Sequence, residues 1–350
     1  MSLREARIGS SPRGKRAATL ADVAEVAGVS ASTASRALNG RGELADSTRA
    51  AVIEAAAALD FRPSAVARSL RTRTTFTVGF VVPDVASPFY AAALKGAQGA
   101  LEEAGYRVML MDSEQAAAGE VAALRTLLDH QVDGLLVATT GLTAKRFGEV
   151  TGGAATPCVF FDSVVRRTGA GSVTLDNEPG VHLLVDHLVE HGHERIALVI
   201  GPVAETSAVE RLHAFRKALR RQGLGVRPGY ERRCRWTVAS GRDATDALLE
   251  LGDPPTAIVA GSAELVLGCL SSCRAHGVAL PDDLALVGFD DPYFGDLLEP
   301  PLTAIAYDAA EVDRVAATLL VDAIQNGGRP FRQVTVPVRL VRRRSCGCEG

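Results

Sequence analysis

The chain has 350 residues, enough for two or three hydrophobic cores, and its 47% hydrophobic and 23% charged residues make an ordinary globular balance. No apolar run approaches the roughly 18 residues that span a bilayer, and the polar, basic start from Met1 to Arg16 lacks the apolar stretch of a signal peptide. Membrane and secreted classes are therefore set aside and the cytoplasm is the expected compartment. The net charge of −3 hides an asymmetry: residues 1–75 carry 12 Lys and Arg against 7 Asp and Glu, while the rest carry 26 against 34. A basic head on an acidic body points to a polyanion as the partner of the head.

In chain order, residues 1–18 form a Ser/Gly/Pro-containing arm with Arg4, Arg7, Arg13, Lys15 and Arg16 and no periodicity. It reads either as a disordered source of salt-dependent affinity for nucleic acid or as leader sequence. From Thr19, the apolar residues Leu20, Val23, Ala24 and Ala27 recur at helical spacing. Gly28 supplies a turn, Val29 an apolar plug, and Ser30 the N-cap of a second helix that runs to about Leu38 and stops at Asn39-Gly40. Two short helices about such a turn make a helix-turn-helix, whose second helix can enter the major groove of double-stranded DNA. A third helix, roughly Asp46 to Leu59, closes a three-helix core with Val52, Ile53, Ala56 and Leu59. Pro63 breaks it, and Ser64 to Leu70 is too short to be a stable helix alone, so its ordering should couple to a partner.

These stretches, Thr19 to Gly40 and Phe61-Arg62-Pro63-Ser64-Ala65-Val66-Ala67-Arg68-Ser69-Leu70-Arg71, resemble the head of the lactose/galactose repressor (LacI/GalR) family. The resemblance implies that Ala31, Ser32 and Arg36 read base edges. Arg36 has the donor fork that suits guanine, Ser32 discriminates weakly, and Ala31 offers a methyl contact to thymine. Thr33, Ser35 and Asn39 suit phosphate oxygens, which position without reading sequence. For residues 64–74 the resemblance implies a hinge whose helices pair in a homodimer and enter the minor groove, with Ala67 on their apolar face and Leu70 wedging between base steps. A solvated arginine at position 36 and a plain linker at 64–70 are the blander readings.

After Arg73 the pattern changes. Strands are expected at 76–82, 107–111, 134–138 and 158–161, with helices at 87–104 and 119–130 between them. The order restarts after about Asp176 with helices at 180–191, 207–222 and 263–276 and strands at 196–200, 257–260 and 284–288. This alternation predicts two doubly wound parallel sheets with a cleft between them. The expected fold class is α/β: a three-helix helix-turn-helix head at 19–63, the hinge helix that the resemblance implies, then a two-subdomain core at 75–345 that resembles the periplasmic-binding-protein-like core of the same family. The first subdomain is expected to hold about 75–173 plus 305–328, the second about 174–304 plus 329–345, and 346–350 a tail.

Candidate ligand contacts sit where strands end. The resemblance implies effector contacts at Ser87 and Phe89 in PDVASPFY, at Asp162 after CVFF, at Arg211, at Trp236, whose ring could stack on a sugar face, and at Asp290 after VGF. A carboxylate, an arginine and an indole make a reasonable site for a sugar-like effector. The plainer alternatives are caps for Asp162 and Asp290, a surface charge for Arg211 and packing for Trp236. Ser87 replaces the Asn more usual in the family, Ala214 a Gly, and Gly261-Ser262 an Asn-Asp pair, which puts a standard sugar effector in question.

Other chemistry is thinly represented. There is no GxGxxG loop after the first strand, no Walker motif and no nucleophile elbow, so an enzyme is not expected. No cofactor is expected either. His182, His187, His191 and His193 form the closest metal-like cluster, yet DHLVEHGHERIALV reads as a helix-to-strand packing segment. Cys269 and Cys273 share a helix face, and Cys346 and Cys348 lie in the tail with no matching His or second Cys pair. The six cysteines read as free thiols and no metal site is assigned.

Overall fold

The computed structural model describes residues 18–39, 43–61, 69, 74–152, 156–327 and 332–348. The chain divides into two compact units, one ending at Thr75 and one beginning at Phe76.

The first unit is a bundle of α1 (Leu20–Val26), α2 (Ala31–Leu38) and α3 (Asp46–Ala58). Thr19 and Asp22 form a reciprocal capping box at the start of α1, and Ser30 caps α2 by accepting from the Thr33 N–H. The turn between them passes through Gly28 at φ +65°, a left-handed conformation that favours glycine. Val23, Ala24, Ala34, Ala37, Val52, Ala55 and Ala56 form the core, with Val29, Leu59 and Phe61 packed against it. Alanine at most inner positions lets the short helices approach closely. Ile53, expected in this core, is 53% exposed instead, because Val52 takes the inward position on α3.

The second unit holds two six-stranded sheets. The first subdomain runs β1 (Thr77–Val82), α4 (Pro88–Glu103), β2 (Arg107–Asp112), α5 (Ala117–Asp129), β3 (Gly134–Val137), α6 (Ala144–Thr151), β4 (Cys158–Phe161) and β5 (Gly171–Leu175). The second runs α7 (Asn177–Glu190), β6 (Ile196–Ile200), α8 (Thr206–Arg221), β7 (Glu231–Arg233), α9 (Val238–Leu249), β8 (Ala257–Ala260), α10 (Ala263–His276), β9 (Ala285–Phe289) and β10 (Thr303–Ala306). The chain then returns through α11 (Ala309–Asn326) and β11 (Gln333–Val336), and crosses back to β12 (Arg339–Val341).

The strand orders are β11-β5-β4-β3-β1-β2 and β12-β10-β9-β8-β6-β7. Every pair is parallel except β10–β12. Central strands such as β3 and β6 are buried along their whole length, as sheets covered on both faces require. The matching orders place the carboxyl ends of β1, β4, β6 and β9 along corresponding crevices of the two sheets.

Two expectations need correction. Residues 333–336 belong to the first sheet, where β11 pairs with β5, so the last crossing falls after Val336 and not near residue 328. Residues 346–348 are no free tail: Cys346 is 1% exposed, and Ser345 ties the segment to the sheet by accepting from the Thr303 N–H and donating to the Leu286 carbonyl.

Candidate nucleic-acid interface and ligand cleft

On α2 the inward positions are Ala34 and Ala37, which leaves the opposite face to solvent. Ser32, Arg36 and Asn39, at i, i+4 and i+7, form one exposed stripe, flanked by exposed Ala31 and half-buried Thr33 and Ser35. Ser30, Ser32 and Thr33 are linked by hydroxyl contacts of 2.8 and 2.9 Å, and the Arg36 guanidinium leans over the Thr33 hydroxyl at 3.5 Å. Asn39 is turned back onto its own helix, its amide donating to the Ser35 carbonyl at 2.6 Å. Its amide oxygen, an acceptor, is poorly matched to phosphate, so Asn39 must turn to serve the backbone role expected of it. Ala67 and Leu70, the hinge contacts expected from sequence, lie outside the described residues.

In the second unit all six expected ligand contacts converge on one cleft between the sheets, lined by Ser87, Phe89, Asp162, Arg211, Trp236 and Asp290. Asp162 follows β4 and Asp290 follows β9, so they occupy equivalent strand ends of the two subdomains. Both adopt left-handed backbone, φ +59° and +80°, unusual for residues other than glycine and worth about 1–3 kcal/mol of local strain each. That conformation turns the chain sharply off each strand and leaves the carboxylate at the crevice.

Arg211, 4% exposed, organises the interior. It donates to Asn177 Oδ1 at 2.8 Å and to the Gly261 carbonyl at 2.7 Å, and its guanidinium lies 3.7 Å from the centroid of the Phe289 ring. The surface-charge alternative is thereby excluded. Burial pushes the Asp162 carboxyl up against the opposing pull of Arg211 and its hydrogen bond from Tyr90. Burial likewise raises Asp290 to about 6, partly offset by Arg211 and by the Tyr307 hydroxyl that donates to it at 2.8 Å.

Several groups in the cleft wall or directly behind it carry no signal of their own in the sequence. Glu205, whose carboxyl is pushed up to about 8 by burial, accepts from the Trp236 indole N–H at 2.7 Å. That bond fixes the ring at the cleft wall. Glu264 accepts from the Ser87 hydroxyl at 2.7 Å, joining the two subdomains, and Gln115 reaches the Trp236 carbonyl at 3.4 Å. Tyr90 and Tyr307 flank Phe89 at ring separations of 4.8 and 6.2 Å. Glu205 and Trp236 are 31 residues apart, and Ser87 and Glu264 177, so only the tertiary fold reveals these pairs.

The Gly261-Ser262 departure has a local cause. A Cβ at position 261 would lie 2.4 Å from Ile200 Cδ1 and 3.1 Å from the Val199 carbonyl oxygen, so in this backbone a larger residue does not fit without movement. Ser262 caps α10 by accepting from the Leu265 N–H. The cleft interior leaves about 50 Å³, room for a few waters, because the cross-cleft contacts draw its walls together.

The expected histidine cluster separates. His182 contacts Arg221 and His193 contacts Thr256, whereas His187 and His191 face Cys346 and Cys348. The absence of matching histidines for the Cys346–Cys348 pair, expected from sequence, is therefore corrected. No helix among the described residues is long and apolar enough to cross a membrane.

Comparison with known proteins covers both units. Residues 19–64 match the family described as bacterial regulatory proteins, lacI family, and residues 185–346 match a periplasmic binding protein-like domain. Catabolite control protein A of Priestia megaterium is 32% identical over 328 residues, covering 93% of this chain and 98% of that protein. The lac repressor dimer bound to operator and the anti-inducer ONPF superposes with a TM-score of 0.84 at 28% identity, covering 95% of this chain and 99% of that one. The transcriptional regulator CelR in complex with cellobiose gives a TM-score of 0.71 at 30% identity over 94% and 99% of the two chains. A helix-turn-helix head, a two-sheet cleft and end-to-end similarity to these regulators establish that the chain belongs to the LacI family of DNA-binding transcription regulators.

Proposed function

We propose that the chain is a cytoplasmic transcriptional repressor that binds a pseudo-palindromic operator as a homodimer and leaves it when a small neutral polyol occupies the cleft. The DNA-reading part rests on the exposed Ser32–Arg36–Asn39 stripe of α2. Arg36 carries most of the sequence discrimination, because a bidentate pair to guanine is worth about 1–3 kcal/mol. Ala31 and Ser32 add weaker base contacts, while Thr33, Ser35 and a turned Asn39 hold phosphates. Ala67 and Leu70 serve the operator centre.

The effector class follows from the charges on the cleft. Asp84, Asp162, Glu264 and Asp290 face Arg211, the one cation among the described lining residues, which is already committed to Asn177 and Gly261. Such a lining favours hydrogen-bond donors and opposes phosphates and carboxylates. Trp236 and Phe89 supply faces for C–H groups, and the cellobiose complex of the CelR neighbour is consistent with this reading. The cleft must open for a pyranose to enter, which breaks the Ser87–Glu264 and Gln115–Trp236 contacts. A ligand shifts operator affinity only through its different affinity for the two arrangements.

The test is selection of operator fragments from genomic DNA, followed by anisotropy titration against a panel of neutral sugars, amino sugars and sugar phosphates. Release by a neutral sugar at least about tenfold stronger than by its phosphate supports the reading. Preferential release by the phosphorylated form overturns the assignment of effector class.

A further inference from the structure

We propose that the chain binds a structural zinc ion through His187, His191, Cys346 and Cys348, closing the carboxy-terminal segment onto the end of α7. The two histidines lie one helical turn apart where α7 ends, their ring centroids 4.7 Å apart. The two cysteines flank Gly347, whose φ of +91° is a conformation side-chain-bearing residues rarely adopt. That turn lets both sulfurs face the helix end.

The four donor atoms form a compact shell. Cys346 Sγ is 3.1 Å from His187 Nε2 and 3.4 Å from Cys348 Sγ, and Cys348 Sγ is 3.4 Å from both His187 Nε2 and His191 Nε2. All four atoms lie within 4.8 Å of one another. A tetrahedron with zinc–sulfur bonds of about 2.3 Å and zinc–nitrogen bonds of about 2.0–2.1 Å has edges of roughly 3.3–3.8 Å. The short edges therefore adjust by tenths of an ångström, and the remaining ones close by about an ångström.

A purely hydrogen-bonded cluster accounts poorly for the same arrangement. Cys346 Sγ also lies 3.0 Å from the Thr303 hydroxyl and 3.3 Å from the Arg343 carbonyl, so one weak donor meets more polar neighbours than it can serve. His187 Nδ1 is buried without a hydrogen-bond partner, with the Glu190 carboxylate 3.9 Å away. Ligation through Nε2 would place the ring proton on Nδ1, toward that carboxylate, in the usual outer-shell arrangement.

Four protein ligands leave no open position, which assigns the ion a structural role. His187 and Cys346, 4% and 1% exposed, are held by the fold itself, whereas exposed His191 and half-buried Cys348 form the outer half. The ion would thus fasten the last described residues to α7, the helix that opens the second subdomain.

The experiment uses the full-length protein, purified under reducing conditions, stripped with chelator and reloaded with zinc or cobalt. About one zinc per chain by mass spectrometry, ligand-field bands of tetrahedral cobalt with a thiolate charge-transfer band, and a Tm raised by about 5 °C on reloading are expected. Cys348→Ser and His191→Asn change only the outer half, so the fold should persist. Each should lower zinc retention at least about tenfold and abolish the cobalt spectrum of the parent. Zinc content and spectrum unchanged in both variants would place the metal elsewhere and overturn the assignment. So would the absence of a thiolate–cobalt band in the parent, or a Cys346–Cys348 disulfide that persists under the reducing conditions.

Discussion

The head and the body present their functional groups in opposite ways. On α2 the candidate contacts are a solvent-exposed stripe, and their internal hydrogen bonds run to residues within four positions of themselves. In the body the candidate contacts are drawn from separate strand ends and helices and point into a closed interior, where Arg211, Asp162 and Asp290 depend on one another. A surface stripe is individually replaceable at small cost to the fold. A buried charge network is not, since removing one member strands the others. Changes in the head should thus alter binding, whereas changes in the cleft should alter stability and response together.

The largest effect should come from Arg211→Ala, which leaves Asp162 and Asp290 without their cation. A loss of about 3–5 kcal/mol in the body's unfolding free energy is expected, with operator binding retained at low temperature. Urea unfolding followed by Trp236 fluorescence measures it, and a change below about 1 kcal/mol would contradict the network. Arg36→Ala should reduce operator affinity by about 1–3 kcal/mol while leaving weak, salt-dependent binding to unrelated DNA and the unfolding curve of the body unchanged. Footprinting that finds the same selectivity would remove Arg36 from the reading role.

Glu205→Gln tests the buried carboxyl that holds Trp236. The folded-state pKa is about 8 against an ordinary 4.5, so the folded form holds its proton more tightly than the unfolded form. This preference stabilises the fold fully below pH 4.5 and is lost progressively as pH rises through 8. The amide should therefore stay close to the parent's stability near pH 5 and exceed it at pH 8.5, by about 3–4 kcal/mol. An equal difference at both pH values would remove the titration of Glu205 as the cause. Smallest of all, Ser30→Ala should cost about 1 kcal/mol of head stability through loss of the α2 cap, visible as lower helicity of the isolated fragment or weaker operator binding. An unchanged body transition in the same variant would confirm that the two units unfold separately.

The legibility of the sequence divided along the same line. The Ser30 cap, the Gly28 turn and the limits of α2 and α3 were readable, because capping and amphipathic spacing act within a few residues. Strands such as 158–161 and 257–260 were readable as continuous apolar runs. Helices α6, α9 and α11 and strands β5, β7, β10, β11 and β12 are not legible in the sequence, since strands of three to five residues and mixed helices carry weak periodicity. The placement of 333–336 in the first sheet depended on pairing with β5, a partner about 160 residues away in sequence.

The sequence alone therefore determined the head and the alternation that builds two sheets, and its family resemblance singled out Arg211, Trp236, Asp162 and Asp290 as candidate contacts. Tertiary structure decided what those groups do to each other: which carboxyls lose water, that Glu205 holds Trp236 and that Ser87 meets Glu264 across the cleft. It also brought His187 and His191 to Cys346 and Cys348, across more than 150 residues of chain. The physical reason is range. Helix caps and apolar periods are local properties of the backbone, whereas desolvation, charge pairing and ligand geometry depend on which distant side chains the fold places within a few ångströms.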